Sequence, residues 1–224
     1  MSHNYRQIRL NKLKDLIDQG VHPYPDRFET THTLAEASAL EDTATGVQIA
    51  GRVVLKRDMG KNIFAKLQDM NGSLQLMINR AELDEDEAAS KKLHKRFEKK
   101  VDLWDFVGVR GDMMRTQTGE LTLRVKEWTF LGKTLQPPPE KHAGVQDVEL
   151  NWRKRYLDLV TSQESRDRFR MRTRLVRSIR QYLDAHRFEE VETPILCTKA
   201  SGAMARTFDS HHNSLDMPLV LRIA

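Results

Sequence analysis

The chain has 224 residues, of which 39% are hydrophobic and 31% charged, with one cysteine and a formal net charge of +5. This balance is typical of globular proteins with charged surfaces, and the length suffices for one large or two modest domains. A single cysteine excludes an internal disulfide framework and favours a reducing compartment, which predicts a cytoplasmic protein. The sequence lacks both a signal peptide and an apolar run long enough to cross a membrane. Positive charge concentrates in residues 47–133 and 151–224, which is compatible with a polyanionic partner without proving one.

The first 46 residues predict a helical extension. A helix is expected over residues 4–19, with an apolar stripe formed by Ile8, Leu13, Leu16 and Ile17. Gly20 is a stop signal, and the Pro-bearing run 21–25 predicts a rigid, extended connector.

Residues 47–133 change to the two-residue period of strands. We predict strands over residues 47–57, 63–69, 73–79, 106–115 and 120–128, and a helix over residues 82–100. Turns are expected at residues 58–62, 71–72 and 118–119, and Gly51 predicts a bend or bulge. Three strands, a helix and two strands are the order of an OB barrel, which binds oligonucleotides on its strand 2–3 face. On pattern alone, another small barrel is an equal alternative.

Three side chains on this barrel are suited to reading a single-stranded nucleic acid. Phe64 and Gln75 lie on the second and third strands, and Glu120 opens the fifth. An exposed aromatic ring can stack on a base, while an amide and a carboxylate can read base edges. The alternative for Phe64 is a place in the hydrophobic core, which the pattern alone favours slightly.

Four basic residues near the first turn are candidates for neutralising phosphates: Arg52, Lys56, Arg57 and Lys61. A solvated, charged strand end explains them equally well.

A Pro-rich linker is predicted over residues 134–150, followed by a long amphipathic helix over 165–186. The apolar face of this helix is formed by Phe169, Val176, Ile179 and Leu183. Seven arginines spread around its cylinder: Arg166, Arg168, Arg170, Arg172, Arg174, Arg177 and Arg180. Because they form no single stripe, a solvated helix that packs by its apolar face is favoured over a nucleic-acid groove.

The run 191–224 is typical of the opening of an active site. A strand-like segment is broken by Pro194, a loop of small residues surrounds Gly202, and a second strand begins at Leu219. The apolar strand is still under way at Ala224, so we expect the chain to continue beyond it. Cys197 is interpreted as a small filler residue rather than a nucleophile.

The adjacent His211 and His212 invite a metal site. Neighbouring residues on an extended segment point to opposite faces, and neither cysteine nor carboxylate stands at ligand spacing. We therefore predict no metal ligand in this chain.

Five stretches resemble the class II lysyl-tRNA synthetases, and the resemblance covers nearly the whole chain. They are Arg155-Tyr-Leu-Asp-Leu, Glu190-Val-Glu-Thr-Pro, Gly202-Ala-x-Ala-Arg-x-Phe, His211-His-Asn-x-Leu-Asp and Leu221-Arg-Ile-Ala. The Glu-Val-Glu-Thr-Pro stretch indicates the class, and the last two stretches indicate lysine rather than aspartate or asparagine.

The resemblance implies an α+β protein: an OB-fold barrel, residues 47–133, then the start of an antiparallel class II catalytic domain, residues 151–224. It implies that Phe64, Gln75 and Glu120 bind a U-rich anticodon, and we predict that Arg57 contributes to the same site. The long helix with Pro194 is similar to motif 1, which builds the homodimer interface, and Gly202 matches a glycine whose backbone contacts the amino acid. The implied partners are tRNA(Lys), L-lysine, ATP and Mg²⁺.

Two substitutions depart from the family pattern: Ser201 replaces a second glycine and Thr207 replaces a proline. The family's acidic lysine-binding residue and the arginines of motifs 2 and 3 are expected beyond Ala224, so no catalytic residue is assigned within this chain. We expect the isolated chain to lack aminoacylation activity. Two alternatives stay open: a non-catalytic module for tRNA binding or dimerisation, and an enzyme that attaches lysine to a protein. The second is disfavoured because it does not need the barrel.

Overall fold

The computed structural model describes residues 2–25, 27–137, 139, 147–200 and 202–223. It consists of two compact units, residues 1–161 and 162–224. The helices of the first unit are α1 (Ser2–Asp18), α2 (Leu34–Ala37), α3 (Glu87–Lys100), α4 (Val148–Arg153) and α5 (Arg155–Thr161). Its strands are β1 (Val47–Met59), β2 (Asn62–Gln68), β3 (Ser73–Asn79), β4 (Phe106–Arg115) and β5 (Leu121–Gly132).

The five strands close into a barrel in the order β1-β2-β3-β5-β4, which confirms the predicted OB fold. All pairings are antiparallel except β3 with β5, which is parallel. Gly51 keeps a regular register, and the irregularity in β1 lies between Val53 and Leu55, so the predicted bulge at Gly51 was wrong. A Cβ at Gly51 would lie 3.1 Å from the carbonyl oxygen of Gln68, so this glycine instead permits a close approach of two strands.

Strict alternation of buried and outward side chains in β2 and β3 builds part of the interior of the barrel. Its inward residues on β2 and β3 are Ile63, Ala65, Leu67, Leu74, Leu76 and Ile78. The fully buried Phe97 of α3 packs edge-on against Trp128, with ring centroids 5.2 Å apart. Because the period is two, every other residue of these strands must face outward.

Helix α3 begins later than predicted. Asp86 caps its N-terminus by accepting hydrogen bonds from the amides of Ala88 and Ala89, so the start expected at residue 82 was wrong. An aspartate at this position satisfies amides that have no partner within the helix. The acidic residues before Glu87 therefore lie in the approach to the helix rather than in its first turn.

Helix α1 contacts the barrel through an unexpected set of residues. Leu16 is fully buried, but Ile8 and Ile17 are 44% and 54% exposed, so the predicted apolar stripe was wrong for these two. Arg9 is buried instead. Gly20, with φ of +74°, ends the helix as predicted, since few other residues adopt this backbone conformation.

The second unit contains α6 (Gln163–Ala185) and an antiparallel sheet in the order β6-β8-β7. These strands are β6 (Leu196–Cys197), β7 (Asp209–His212) and β8 (Met217–Leu221). The predicted strand-like segment at residue 191 is short, because pairing begins only after Pro194. The mixture of a closed barrel, helices and an antiparallel sheet confirms the α+β class. Residues 138 and 140–146 of the predicted linker lie outside the described residues, and its last three residues belong to α4.

Candidate nucleic-acid interface

Phe64 and Gln75 both project from the outer surface of the barrel. Phe64 is half-buried, while its neighbours Ile63 and Ala65 are fully buried inside. The interpretation of Phe64 as a core residue was therefore wrong. Gln75 is likewise half-buried, between the inward residues Leu74 and Leu76.

Strand register places Phe64 in a row of four outward residues on neighbouring strands. Arg57 of β1 is opposite Phe64, Met77 of β3 is opposite Phe64 on the other side, and Arg124 of β5 pairs with Met77. Opposed side chains on neighbouring strands have Cβ atoms about 5 Å apart. We call these four residues the stacking row, because a base stacked on the ring would have cations beside it for its phosphates.

Gln75 belongs to a second row, which we call the amide row: Lys66, Gln75 and Thr122. The Gln75 Nε2 donates to Thr122 Oγ1 at 3.0 Å, and Thr122 Oγ1 donates to the carbonyl oxygen of Glu120 at 3.1 Å. The exposed Glu120 directly precedes β5, two positions before Thr122. The fold thus brings Phe64, Gln75, Glu120 and Arg57 to one side of the barrel.

The cations of this surface differ in how far they are already neutralised. Arg124 lies 3.8 Å from a Glu82 carboxylate oxygen and 3.9 Å from one of Asp112. In the described part of the chain, neither Arg57 nor Lys66 has a carboxylate within ion-pairing distance. These two side chains are thus the ones suited to contacting phosphates.

The other candidate phosphate contacts near the first turn separate into exposed and buried groups. Lys61 is exposed. Lys56 points inward, and its Nζ donates to the carbonyl oxygens of Phe97, Glu98 and Val101 at 3.1, 2.6 and 2.6 Å, at the end of α3.

Burial lowers the pKa of the Lys56 ammonium to about 8, and the nearby Lys12 and Lys133 act in the same direction. Arg52 donates to the carbonyl oxygen of Trp104 at 3.1 Å and lies 4.2 Å from the Phe106 ring centroid. The prediction of a phosphate contact was therefore wrong for Lys56. The half-buried Arg52 already uses its guanidinium group in the contacts with Trp104 and Phe106.

Three of the arginines of α6 form ion pairs with nearby carboxylates. Arg168 pairs with Glu164, Arg170 with Asp167, and Arg180 with Glu190. The four apolar residues of the predicted face are 36–51% exposed in the chain as described: Phe169, Val176, Ile179 and Leu183. The predicted amphipathic helix is thus present, and its apolar face is largely accessible.

Gly202 lies between β6 and β7 with φ of +106°, a conformation that side-chain-bearing residues rarely adopt. Pro194 is exposed just before β6, and its carbonyl oxygen accepts a weak hydrogen bond from the free thiol of Cys197 at 3.7 Å. Thr207 Oγ1 donates to an Asp209 carboxylate oxygen at 2.7 Å. Ser201 lies outside the described residues.

His211 and His212 sit on β7 with separate partners. His211 lies 3.4 Å from an Asp216 carboxylate oxygen, and His212 Nδ1 accepts from the amide of Leu215 at 3.2 Å. Among the described residues, no group of three His, Cys, Asp or Glu side chains is arranged to hold a metal ion. Within the same ranges, no helix is long and apolar enough to span a bilayer.

Sequence reasoning missed four members of the two rows: Lys66, Met77, Thr122 and Arg124. The first two were detectable, because each is two residues from Phe64 or Gln75 on the same strand and therefore faces the same way. Thr122 and Arg124 were not, since the parallel pairing of β3 with β5 leaves no local signal in the sequence.

Two family matches agree with this architecture. Residues 47–131 match the OB-fold nucleic acid binding domain of the tRNA anticodon family, and residues 147–224 match the class II tRNA synthetases for D, K and N. The barrel described above occupies the first match, and α6 with its small sheet occupies the second.

Individual relatives are similar along almost the whole chain. A lysine–tRNA ligase of Pediococcus pentosaceus is 45% identical over 97% of this chain and 44% of its own length. Ligases of the same name from a Synechococcus species and Parasynechococcus marenigrum are 44% and 46% identical, over 98% of this chain and 44% of theirs. The chain thus spans a little under half the length of the curated relatives it matches. By both family matches and this identity, the chain is similar to lysine–tRNA ligases of the class II synthetases.

Proposed function

We propose that this chain takes part in the ligation of lysine to tRNA(Lys). In that reaction the lysine carboxylate attacks the α-phosphate of ATP, giving lysyl-adenylate and pyrophosphate. A hydroxyl at the 3′ end of the tRNA then attacks the lysyl carbonyl carbon and releases AMP. The support is the identity to lysine–tRNA ligases over 97% of the chain.

The barrel contributes anticodon binding. The observation that carries this assignment is the stacking row, in which Phe64 presents an outward ring between Arg57 and Met77. A stacked uracil would place its edge near Gln75 and Glu120, whose polar groups suit base-edge recognition. Arg57 and Lys66 would contact the phosphates.

The second unit contributes substrate positioning and dimer formation. With φ of +106° and no side chain, Gly202 allows its backbone to approach the lysine substrate closely. The accessible apolar face of α6, with Pro194, is suited to packing against a second copy in a homodimer.

ATP and Mg²⁺ complete the proposed reaction, but no residue described here is assigned to either. The described residues hold no cluster of three His, Cys, Asp or Glu side chains that could bind a metal ion. We also propose that the isolated chain does not form the adenylate, since its relatives are more than twice its length. The measurement is lysine-dependent ATP–pyrophosphate exchange, and a signal above background from the isolated chain would overturn this part. We also propose that the protein acts in the cytoplasm.

The competing function is a non-catalytic module for tRNA binding or dimerisation. The intact mass of the native polypeptide separates the two. A mass well above 26.0 kDa agrees with the ligase, and a mass of 26.0 kDa favours the module.

Anticodon binding is tested by the affinity of the chain for fluorescent stem–loop RNAs. We expect a UUU loop to bind more tightly than the same stem carrying a GGG loop. Equal affinity for both loops would contradict the anticodon assignment and leave only non-specific binding of a polyanion.

A further inference from the structure

We propose that Thr122 is a positioning residue that makes Gln75 distinguish uracil from cytosine. The inference rests on the proposed function, in that the barrel must bind the anticodon for Gln75 to meet a base. It adds a role for a residue that need not touch the RNA.

The donor and the acceptor of each hydrogen bond in the series Gln75–Thr122–Glu120 can be assigned from the Glu120 end. The Glu120 carbonyl oxygen can only accept, so Thr122 Oγ1 must donate its single hydrogen there, at 3.1 Å. The hydroxyl oxygen then acts as the acceptor toward Gln75, at 3.0 Å. Only the amide nitrogen of Gln75 can donate to it, which sets which end of the amide faces Thr122.

Burial makes this orientation persist. Thr122 is fully buried, so bulk water does not compete for its hydroxyl. Turning the Gln75 amide over would bring its oxygen against Thr122 Oγ1, two acceptors facing each other. The hydroxyl would have to leave the Glu120 carbonyl to relieve that contact, which costs one hydrogen bond.

The remaining groups of Gln75 match one pyrimidine. Its Oε1 has no partner among the described residues, and one hydrogen of Nε2 is left over. An acceptor beside a donor complements the N3–H and a carbonyl oxygen of uracil. Cytosine presents an acceptor at N3 and a donor at N4, so it would require the overturned amide.

The test compares anticodon stem–loops carrying UUU with three loops that each replace one uracil by cytosine. Binding of the 224-residue chain is measured by fluorescence anisotropy, with Thr122→Val and Thr122→Ser as variants. Valine removes the hydroxyl while keeping the shape, and serine keeps the hydroxyl while losing a methyl group.

For one loop position, we expect Thr122→Val to lower the ratio of cytosine Kd to uracil Kd by about two- to tenfold. Thr122→Ser should keep the wild-type ratio even if it destabilises the fold. In a Gln75→Ala background, Thr122→Val should leave the ratio unchanged.

If Thr122→Val leaves the ratio of cytosine Kd to uracil Kd unchanged, whether or not both loops bind more weakly, the inference is overturned. Anticodon binding itself would be unaffected by that result. Failure of the wild-type chain to prefer the UUU loop over a GGG loop would overturn the proposed function, and this inference with it.

Discussion

Phe64 shows how the alternation of inward and outward residues along a strand decides the role of a side chain. A phenylalanine in an apolar strand is usually part of the core. Here Ile63 and Ala65 occupy the interior, and the half-buried Phe64 lies on the outer face beside Arg57. Part of its ring is therefore accessible to a ligand.

We expect Phe64→Ala to weaken binding of a UUU stem–loop by roughly 1–3 kcal/mol, the contribution of one stacked base. Phe64→Tyr keeps the ring and is the matched control, with affinity near that of the wild type. Anisotropy titrations measure both. An alanine variant that binds as tightly as the tyrosine variant would remove Phe64 from the site.

Lys56 carries the largest consequence for pH dependence. Burial lowers its pKa to about 8 from an ordinary value of 10.5. Between these two pH values the unfolded chain binds a proton that the folded chain does not. The free energy of unfolding therefore rises with pH across this window. Above it the amine is deprotonated in both the folded and the unfolded chain, so the rise stops.

Relative to a Lys56→Met variant, the wild type should gain roughly 3 kcal/mol of unfolding free energy between pH 8 and pH 10.5. The comparison cancels the titration of the other lysines and tyrosines. Urea unfolding of both proteins at the two pH values provides the measurement. Parallel pH dependence in the two proteins would show that the Lys56 amine titrates normally.

At the scale of elements, the attachment of α1 to the barrel is polar as much as apolar. The buried Arg9 donates to the carbonyl oxygens of Thr134, Leu103 and Gln136 at 2.7, 3.1 and 3.4 Å. Lys12 adds an ion pair with Asp102 at 2.5 Å. Loss of these donors leaves carbonyls without partners at a surface that excludes most water.

Arg9→Met should accelerate amide hydrogen exchange throughout α1 while leaving the exchange of the β strands unchanged. Arg6→Met, an equivalent change at an exposed position of the same helix, is the matched control and should change neither. Hydrogen-exchange mass spectrometry resolves the two regions. Wild-type exchange in the Arg9 variant would show that Leu16 and the ion pair of Lys12 suffice to dock α1.

The sequence predicts elements well and long-range geometry poorly. Alternation and the turns at residues 58–62, 71–72 and 118–119 predicted all five barrel strands. The wrong start of α3 arose because acidic residues suit both a first turn and the approach to a cap such as Asp86. The burial of Lys56 and the Thr122–Gln75 bond depend on barrel closure, which no local pattern encodes.

The site was partly predictable, because strand alternation is a local signal whereas pairing across the barrel is not. Phe64, Gln75, Glu120 and Arg57 were identified on the barrel, and the register brings them to one side. Their roles, with those of Gly202 and Pro194, remain predictions. The boundaries of the four predicted segments also remain predictions, although the two family matches cover residues 47–131 and 147–224.

At the scale of the whole molecule, the two units differ in how much they bury. The barrel encloses a continuous core, whereas nearly all residues of the second unit from 171 onward are exposed or half-buried. Apolar burial is the main favourable term in folding, so the second unit on its own has little to offset its conformational entropy.

We therefore expect a polypeptide of residues 151–224 to unfold without a cooperative transition, while residues 1–137 unfold in one step. Circular dichroism with increasing urea compares the two. A sharp transition in the 151–224 segment would show that its sheet and helix suffice for a stable fold.

We propose that the outer face of the barrel, centred on Phe64, binds the anticodon. The most direct test is photo-crosslinking of the 224-residue chain to a stem–loop with 5-iodouridine in the anticodon, followed by mass spectrometry of the adduct. We expect crosslinks to Phe64 or to residues of the stacking and amide rows around it. Crosslinks confined to the arginines of α6 would contradict it.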